Sequence, residues 1–340
     1  MNQKDWERLQ RFESRDYIER HYVSRFDHAL NAQQASQVRS YFEQGREYFV
    51  AASNASSTVK PVLIYYGAAS LARGATLLKT RTNEWANLAS GHGLSTVEWN
   101  ETLKTGISSI LNLKIRAAKG TFCDFVNAIG NCQSYTWRDE GGRSGGFNID
   151  FGKINFLVDD LKISLGDLLS REHSLATEYE IANDGWGNTD FGYVVALEGM
   201  LRILFMPVTK YDLGESIKCY GFPDNIVISN QQMPSILPIS MLAVDIPANG
   251  ELRKRYAPMS ASQDGRVGWL IRPFSNADRM IDLHRLFMQS YIFGMLSRYY
   301  PHRWMALLRS EKGDIARSVV LSAVNRVETE YPKLIVGQLN

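Results

Sequence analysis

Between Val59 and Lys79 the sequence VKPVLIYYGAASLARGATLLK is apolar on nearly every side of a helix, a pattern that predicts burial on all faces. Ser56, Ser57 and Thr58 upstream are cap-forming residues, and Pro61 suits a first helical turn, where its missing N–H is not needed. Gly67, Ala68, Ala69, Ser70, Ala72, Gly74 and Ala75 make the middle of this helix thin, so neighbours can approach its backbone. About 21 residues at about 1.5 Å each span roughly 30 Å, the width of a domain. The stretch therefore reads as the central post of a helical core.

Residues 1–31 are charged and aromatic and predict one or two short helices on the outside. Val38, Tyr41, Phe42, Gly45, Tyr48, Phe49 and Ala52 recur at three- and four-residue intervals, an amphipathic helix that should pair with the post. Residues 80–106, with GHGLS at 91–95, predict loop or short helix; Ile110–Ala117 predicts a strand, and Phe122–Ile129 a helix ended by Gly130. Trp137–Gly146 reads as a glycine-rich loop that lacks the Gly-Lys-Ser/Thr of a phosphate loop. Ser164–Ile181 reads as one helix capped by Ser164, with Asp167 in its first turn.

From Tyr193 to Phe274 the pattern changes to short apolar runs (YVVAL, RILFMPV, NIVIS, SMLAVDI, GWLIRPF) separated by Gly, Pro and Asn, which is β-rich or mixed. Helical periodicity then returns. Leu283–Tyr299 predicts an amphipathic helix stopped at Pro301, and Asp314 can cap a last helix running from Ile315 to Tyr331 and stopped by Pro332. The predicted class is α+β, mainly α. Residues 1–130 and 276–340 supply the two halves of a helical bundle, and 131–275 form a mixed, β-containing insertion or subdomain.

Composition narrows the function classes. The 340 residues carry 38 basic and 36 acidic side chains, a net charge of +2 that gives no whole-molecule case for nucleic-acid binding. Hydrophobic content of 44% and charged content of 22% fit a folded globular chain. The N-terminus is too polar for a signal peptide, and the most apolar run, Phe191–Val208, contains Glu198 and Arg202. Cys123, Cys132 and Cys219 form no CxxC pair, so neither a disulfide framework nor a zinc site is indicated, and a cytoplasmic location is expected. HExxH and a strand-linked GxGxxG are both absent. The paired carboxylates Asp159–Asp160 and Glu178/Glu180 read as exposed faces rather than metal ligands, and DGWGNTD at 184–190 reads as a surface turn. No metal or cofactor is expected.

Four stretches, PVLIYYGAASLARGATLL at 61–78, HGLS at 92–95, MLSRYYPHRW at 295–304 and YPKLIVGQL at 331–339, resemble the YaaC-like family of bacterial proteins in sequence, order and spacing. The YYGAASLA stretch also looks like the aromatic-then-small helix of HEPN-type helical bundles. That second likeness implies metal-independent RNA cleavage by an Arg-x4–6-His motif, in which His supplies acid–base chemistry and Arg steadies the phosphate.

Two Arg/His pairs have that spacing. Arg279 and His284 are five residues apart and Arg15 and His21 six, which on a regular helix sets the side chains about 140° and 120° apart. A second candidate is the cluster Arg298, Tyr299, Tyr300, His302 and Trp304 with His92 between its two glycines. In it Arg298 would grip a phosphate or carboxylate by a bidentate fork while an aromatic ring stacks a base. The structural alternatives are a helix-capping His92, an Arg298 that binds free carbonyls, and a Trp304 that closes the core.

The leading expectation is a protein-binding component of a bacterial defence or stress system. The alternatives are an HEPN-type ribonuclease using Arg279 and His284, and a sensor of an anionic small molecule or nucleotide using His92, Arg298, His302 and Trp304. Expected partners are accordingly a protein, with a homodimer, RNA or a nucleotide as alternatives, and no membrane.

Overall fold

The computed structural model describes the chain apart from residues 1–2, 139–143, 155, 157–160, 186, 198–199, 206–219, 221–226, 233–239, 248–259, 262–266, 275–278, 312 and 340. Short helices α1 (Gln3–Gln10) and α2 (Arg15–Phe26) lead into the long α3 (Ala32–Asn54) and α4 (Lys60–Lys79). Then come β1 (His92–Val97), the single turn α5 (Trp99–Thr102), β2 (Lys114–Gly120) and α6 (Thr121–Ile129). The hairpin β3 (Cys132–Arg138) and β4 (Ser144–Asp150) precedes β5 (Lys162–Ser164), α7 (Leu165–Leu169) and α8 (Ala176–Asn183). Six strands follow: β6 (Thr189–Leu197), β7 (Met200–Phe205), β8 (Val227–Gln232), β9 (Ser240–Pro247), β10 (Ser260–Ala261) and β11 (Val267–Ile271). The chain closes with α9 (Asp282–Tyr299), α10 (Pro301–Leu308) and α11 (Arg317–Leu339). The fold is α+β and mainly α, with small antiparallel sheets.

Helix α4 is buried over most of its length, as its all-round apolar sequence requires. Its small residues do the packing. A methyl group added at Gly74 would meet the Phe42 ring at 2.8 Å, one at Gly67 the Phe49 ring at 2.8 Å, and one at Gly294 of α9 the Tyr65 Cβ at 2.7 Å. These contacts draw α3 and α9 close against the post. The Tyr331 hydroxyl of α11 donates to the Ala68 carbonyl at 3.2 Å, which completes a four-helix arrangement around α4. The start of α4 differs from expectation. No side chain caps it; the turn is closed by the Val59 and Lys60 amides donating to the Ser56 carbonyl.

Four other sequence readings need correction. Leu283–Tyr299 is not amphipathic: every residue of α9 from Asp282 to Ser297 is buried, because α4, α7 and α11 enclose it. Its Asp282, Arg285 and Gln289 pair internally, as described below. Pro332 does not stop α11, which runs on to Leu339; burial of Ile335, Val336 and Leu339 outweighs the one backbone bond that proline removes. Ser164 does cap α7 in a reciprocal pair with Asp167, but the helix stops at Leu169 so that Arg171 and Glu172 can both turn into the interior. Both ends of Trp137–Gly146 are strand, with 139–143 outside the described residues: β3 and β4 pair in register from Cys132–Asp150 to Arg138–Ser144.

One antiparallel sheet has the order β1-β2-β5, and a second, built wholly within residues 189–271, has the order β10-β11-β6-β7-β9-β8. The bidentate Arg202–Asp245 pair ties β7 to β9 at 2.6 and 2.7 Å. Arg171 joins this sheet to the helices. Its guanidinium donates to the Arg272 and Pro273 carbonyls at 2.9 and 2.7 Å and stacks over Phe274. Residues 154–179, inside the segment expected to be an insertion, contribute Ile154, Phe156, Ile163, Leu168 and Tyr179 to the same continuous core as the helices. Cys219 and the Asp159–Asp160 pair lie outside the described residues.

Candidate functional site

The loop and short helix expected over 80–106 are found there except at 92–97, where strand β1 starts at His92; this also corrects the reading of His92 as a helix cap. Its position depends on two glycines. Gly93 (φ +78°) and Gly120 (φ +150°) face each other where β1 meets the start of α6. A Cβ on Gly93 would lie 2.5 Å from the Phe122 amide nitrogen, and one on Gly120 would strike the Gly93 backbone. Glycine is the residue that tolerates both the conformation and the contact. The Gly91 carbonyl then accepts from the Thr121 amide (3.0 Å) and hydroxyl (2.7 Å), fixing the loop before His92.

This places the His92 ring against α4 and α9. Its Nδ1 is 2.5 Å from the Tyr65 hydroxyl, and its centroid is 6.0 Å from that of Tyr291. Burial pushes the Tyr65 phenol well above its ordinary range and Tyr291 up to about 12, so both stay protonated. Tyr65 therefore donates to Nδ1, and the neutral imidazole carries its own proton on Nε2. Burial, with the nearby Arg298 charge, holds the His92 imidazolium below the usual histidine range. The His92 residue itself remains exposed.

Arg298 lies at the C-terminal end of α9, where it is exposed. It donates to the Tyr66 hydroxyl and lies over the rings of Tyr66 (6.0 Å) and Tyr299 (5.0 Å). Among the described residues it has no carboxylate partner within ion-pair distance. Tyr48 of α3 stacks on Tyr66 at 5.7 Å, and Tyr299 is 59% exposed. The result is a surface patch with one unneutralised guanidinium, one histidine N–H donor and several tyrosine faces.

The other expected site residues fall elsewhere. Trp304 is 1% exposed and donates to the Ser57 carbonyl at 3.0 Å; it closes the core and presents no face for stacking. His302 is exposed on α10. His284 is sealed between Phe122 and Phe125, and neither ring nitrogen has a hydrogen-bond partner; burial drives its imidazolium down to about 3. Arg279 is buried, its guanidinium over the Tyr220 ring. This pair cannot meet an RNA phosphate from these positions. Arg15 pairs with Glu19 at 2.7 Å, while His21 contacts the Leu339 carbonyl at 2.8 Å, so that pair does not converge either.

The polar face of α9 feeds a buried charge cluster that periodicity could not reveal. The Glu172 carboxylate accepts from Arg285 (3.2 Å), Arg326 (2.9 Å) and Gln289 (3.0 Å). Asp282 accepts from Arg285 (2.6 Å) and Arg326 (3.3 Å); burial alone would raise its carboxyl, but the two guanidiniums hold it below the usual range. Glu172 and Arg285 are both inaccessible to solvent, so the cluster is structural rather than a binding surface.

The family model described as YaaC-like Protein matches residues 6–339. No curated protein and no solved structure matches the chain, so the HEPN-type likeness gains no support. With a match running from the first helix to the last, the chain belongs to the YaaC-like protein family.

Proposed function

We propose that the chain binds an anionic ligand of the nucleotide class at the His92–Arg298 surface and acts as a sensor rather than a catalyst. The observation that carries this reading is Arg298: an exposed guanidinium with no carboxylate partner among the described residues, held between tyrosines and next to a histidine donor. A guanidinium fork matches a phosphate bidentately. The exposed Tyr299 ring offers a stacking face for a base, a contact worth about 1–3 kcal/mol per base. His92, neutral at pH 7 with its outer nitrogen protonated, can donate to a phosphate oxygen.

These residues favour the sensor reading over the ribonuclease one, whose His284 lies in the core, and over the protein-partner reading, which no particular side chain supports. The test is thermal unfolding with ATP, GTP and their diphosphates at millimolar concentration. The parent should be stabilised by at least one of them, Arg298→Gln should lose the shift, and Tyr299→Ala should weaken it. No shift in the parent, or an equal shift in Arg298→Gln, overturns the reading.

A further inference from the structure

A cleft opens on another part of the surface, at the C-terminal end of α4. It encloses about 530 Å³ and is lined by Lys79, Thr80, Arg81 and Glu84, with Asp124 and Asn127 from α6. Its floor is fixed: the Thr80 carbonyl accepts from both the Tyr22 hydroxyl and the Trp85 indole, each at 3.0 Å. Two cations line it, and a third, Arg25, lies beside it. The Arg25 and Arg81 guanidiniums each lie 5.5 Å from the centre of the Phe26 ring, and Lys79 is half-buried beside them.

None of the three has a carboxylate within ion-pair distance among the described residues. Of the two acids in the cleft, Asp124 is already engaged by Arg73 (3.4 Å) and the Ala89 amide (2.9 Å), and Glu84 is exposed. A half-buried ammonium without a counter-charge gains from any anion that supplies one, and the exposed Arg25 and Arg81 leave room for it to enter.

We propose that this cleft binds a small, multiply charged oxyanion, of phosphate or carboxylate type, through Lys79 and Arg81, with Arg25 adding to the field. The site is separate from the His92–Arg298 surface and does not depend on it. Burial, and the charge of Arg25, hold the Lys79 ammonium down to about 8. A bound anion favours the protonated amine, so binding takes up a proton and weakens as the pH rises past 8. The other ionisable groups near Lys79 are Tyr22, Arg81, Glu84 and Asp124.

Calorimetric titration of the full chain with pyrophosphate and with citrate, at low salt and pH 7, tests this. At least one anion should bind; pyrophosphate alone assigns a phosphate ligand, and citrate alone a carboxylate. Lys79→Gln and Arg81→Gln should each weaken binding about tenfold or more, both in the parent and in an Arg298→Gln background that removes the proposed nucleotide site. Arg81 is exposed, so its variant keeps the test meaningful should Lys79→Gln fold poorly. The proposal is overturned if neither anion binds the parent, or if binding is lost in Arg298→Gln and kept in Arg81→Gln.

Discussion

The hydroxyl of Tyr65 and the Nδ1 of His92 lie 2.5 Å apart, and this single bond joins the central helix to the first strand at the surface. Tyr65 is buried, and its proton has no other acceptor among the described residues. Protonating Nδ1 would break the bond. Tyr65→Phe should therefore cost about 1 kcal/mol of stability and let the His92 pKa move up toward its ordinary value. An NMR titration of the His92 ring in parent and variant checks this, and an unchanged midpoint would remove the donor role given to Tyr65.

His284 should act on stability through pH. Its folded-state value of about 3 lies below the ordinary 6.5, so below about pH 6.5 the unfolded chain binds a proton that the folded chain does not. That contribution to stability is present above pH 6.5 and is lost as the pH falls, by about 1.4 kcal/mol per pH unit between about pH 6 and pH 4. His284→Leu replaces two unpaired buried nitrogens with apolar surface. It should stabilise the protein by about 1–2 kcal/mol at pH 7, and by more at pH 5. Urea unfolding at the two pH values measures both effects.

Glu172→Gln should cost about 3–5 kcal/mol, because it removes a carboxylate that two buried guanidiniums share. Combining it with Arg326→Met, which deletes one of the stranded charges, should recover part of the loss. Chemical denaturation of the four proteins in a double-mutant cycle gives the coupling. Additive losses would mean that Arg326 gains little from Glu172.

Gly120→Ala should be the most damaging methyl addition near His92. It combines a φ of +150° with a Cβ placed against the Gly93 backbone, which cannot swing aside as a side chain could. The expected loss is more than about 2 kcal/mol, with the His92 ring displaced from Tyr65. Gly130→Ala also has a positive φ but open space around it, so it should cost less. Thermal melts of the two variants make the comparison.

These cases also show which parts of the molecule could be read from its residues. Helix α3 is legible because its apolar positions repeat at three and four residues, α4 because it is apolar all round, and α6 because Gly130 marks its end. His92 and Arg298 were legible as unusual side chains, one between glycines and one among aromatics. Tyr65 and Tyr66 were not legible as part of the patch, because they lie inside the most apolar stretch and read as core; only the packing shows Tyr66 reaching the surface beside Arg298. The polar residues of α9 looked like a solvated face for a related reason. Periodicity reports which positions differ, not what lies opposite them, and Glu172 arrives from more than a hundred residues away.

That long reach has a bearing on how the polypeptide can be divided. Arg285 and Arg326 belong to the last sixty residues, whereas the acid between them comes from the stretch that composition marks off as a separate module. A fragment made by excising that module would leave two guanidiniums in a greasy interior with Asp282 as their one remaining ion-pair partner among the described residues. The hydrophobic pattern suggests a scaffold with something grafted onto it; the ionic lock makes the graft a condition for the scaffold to close.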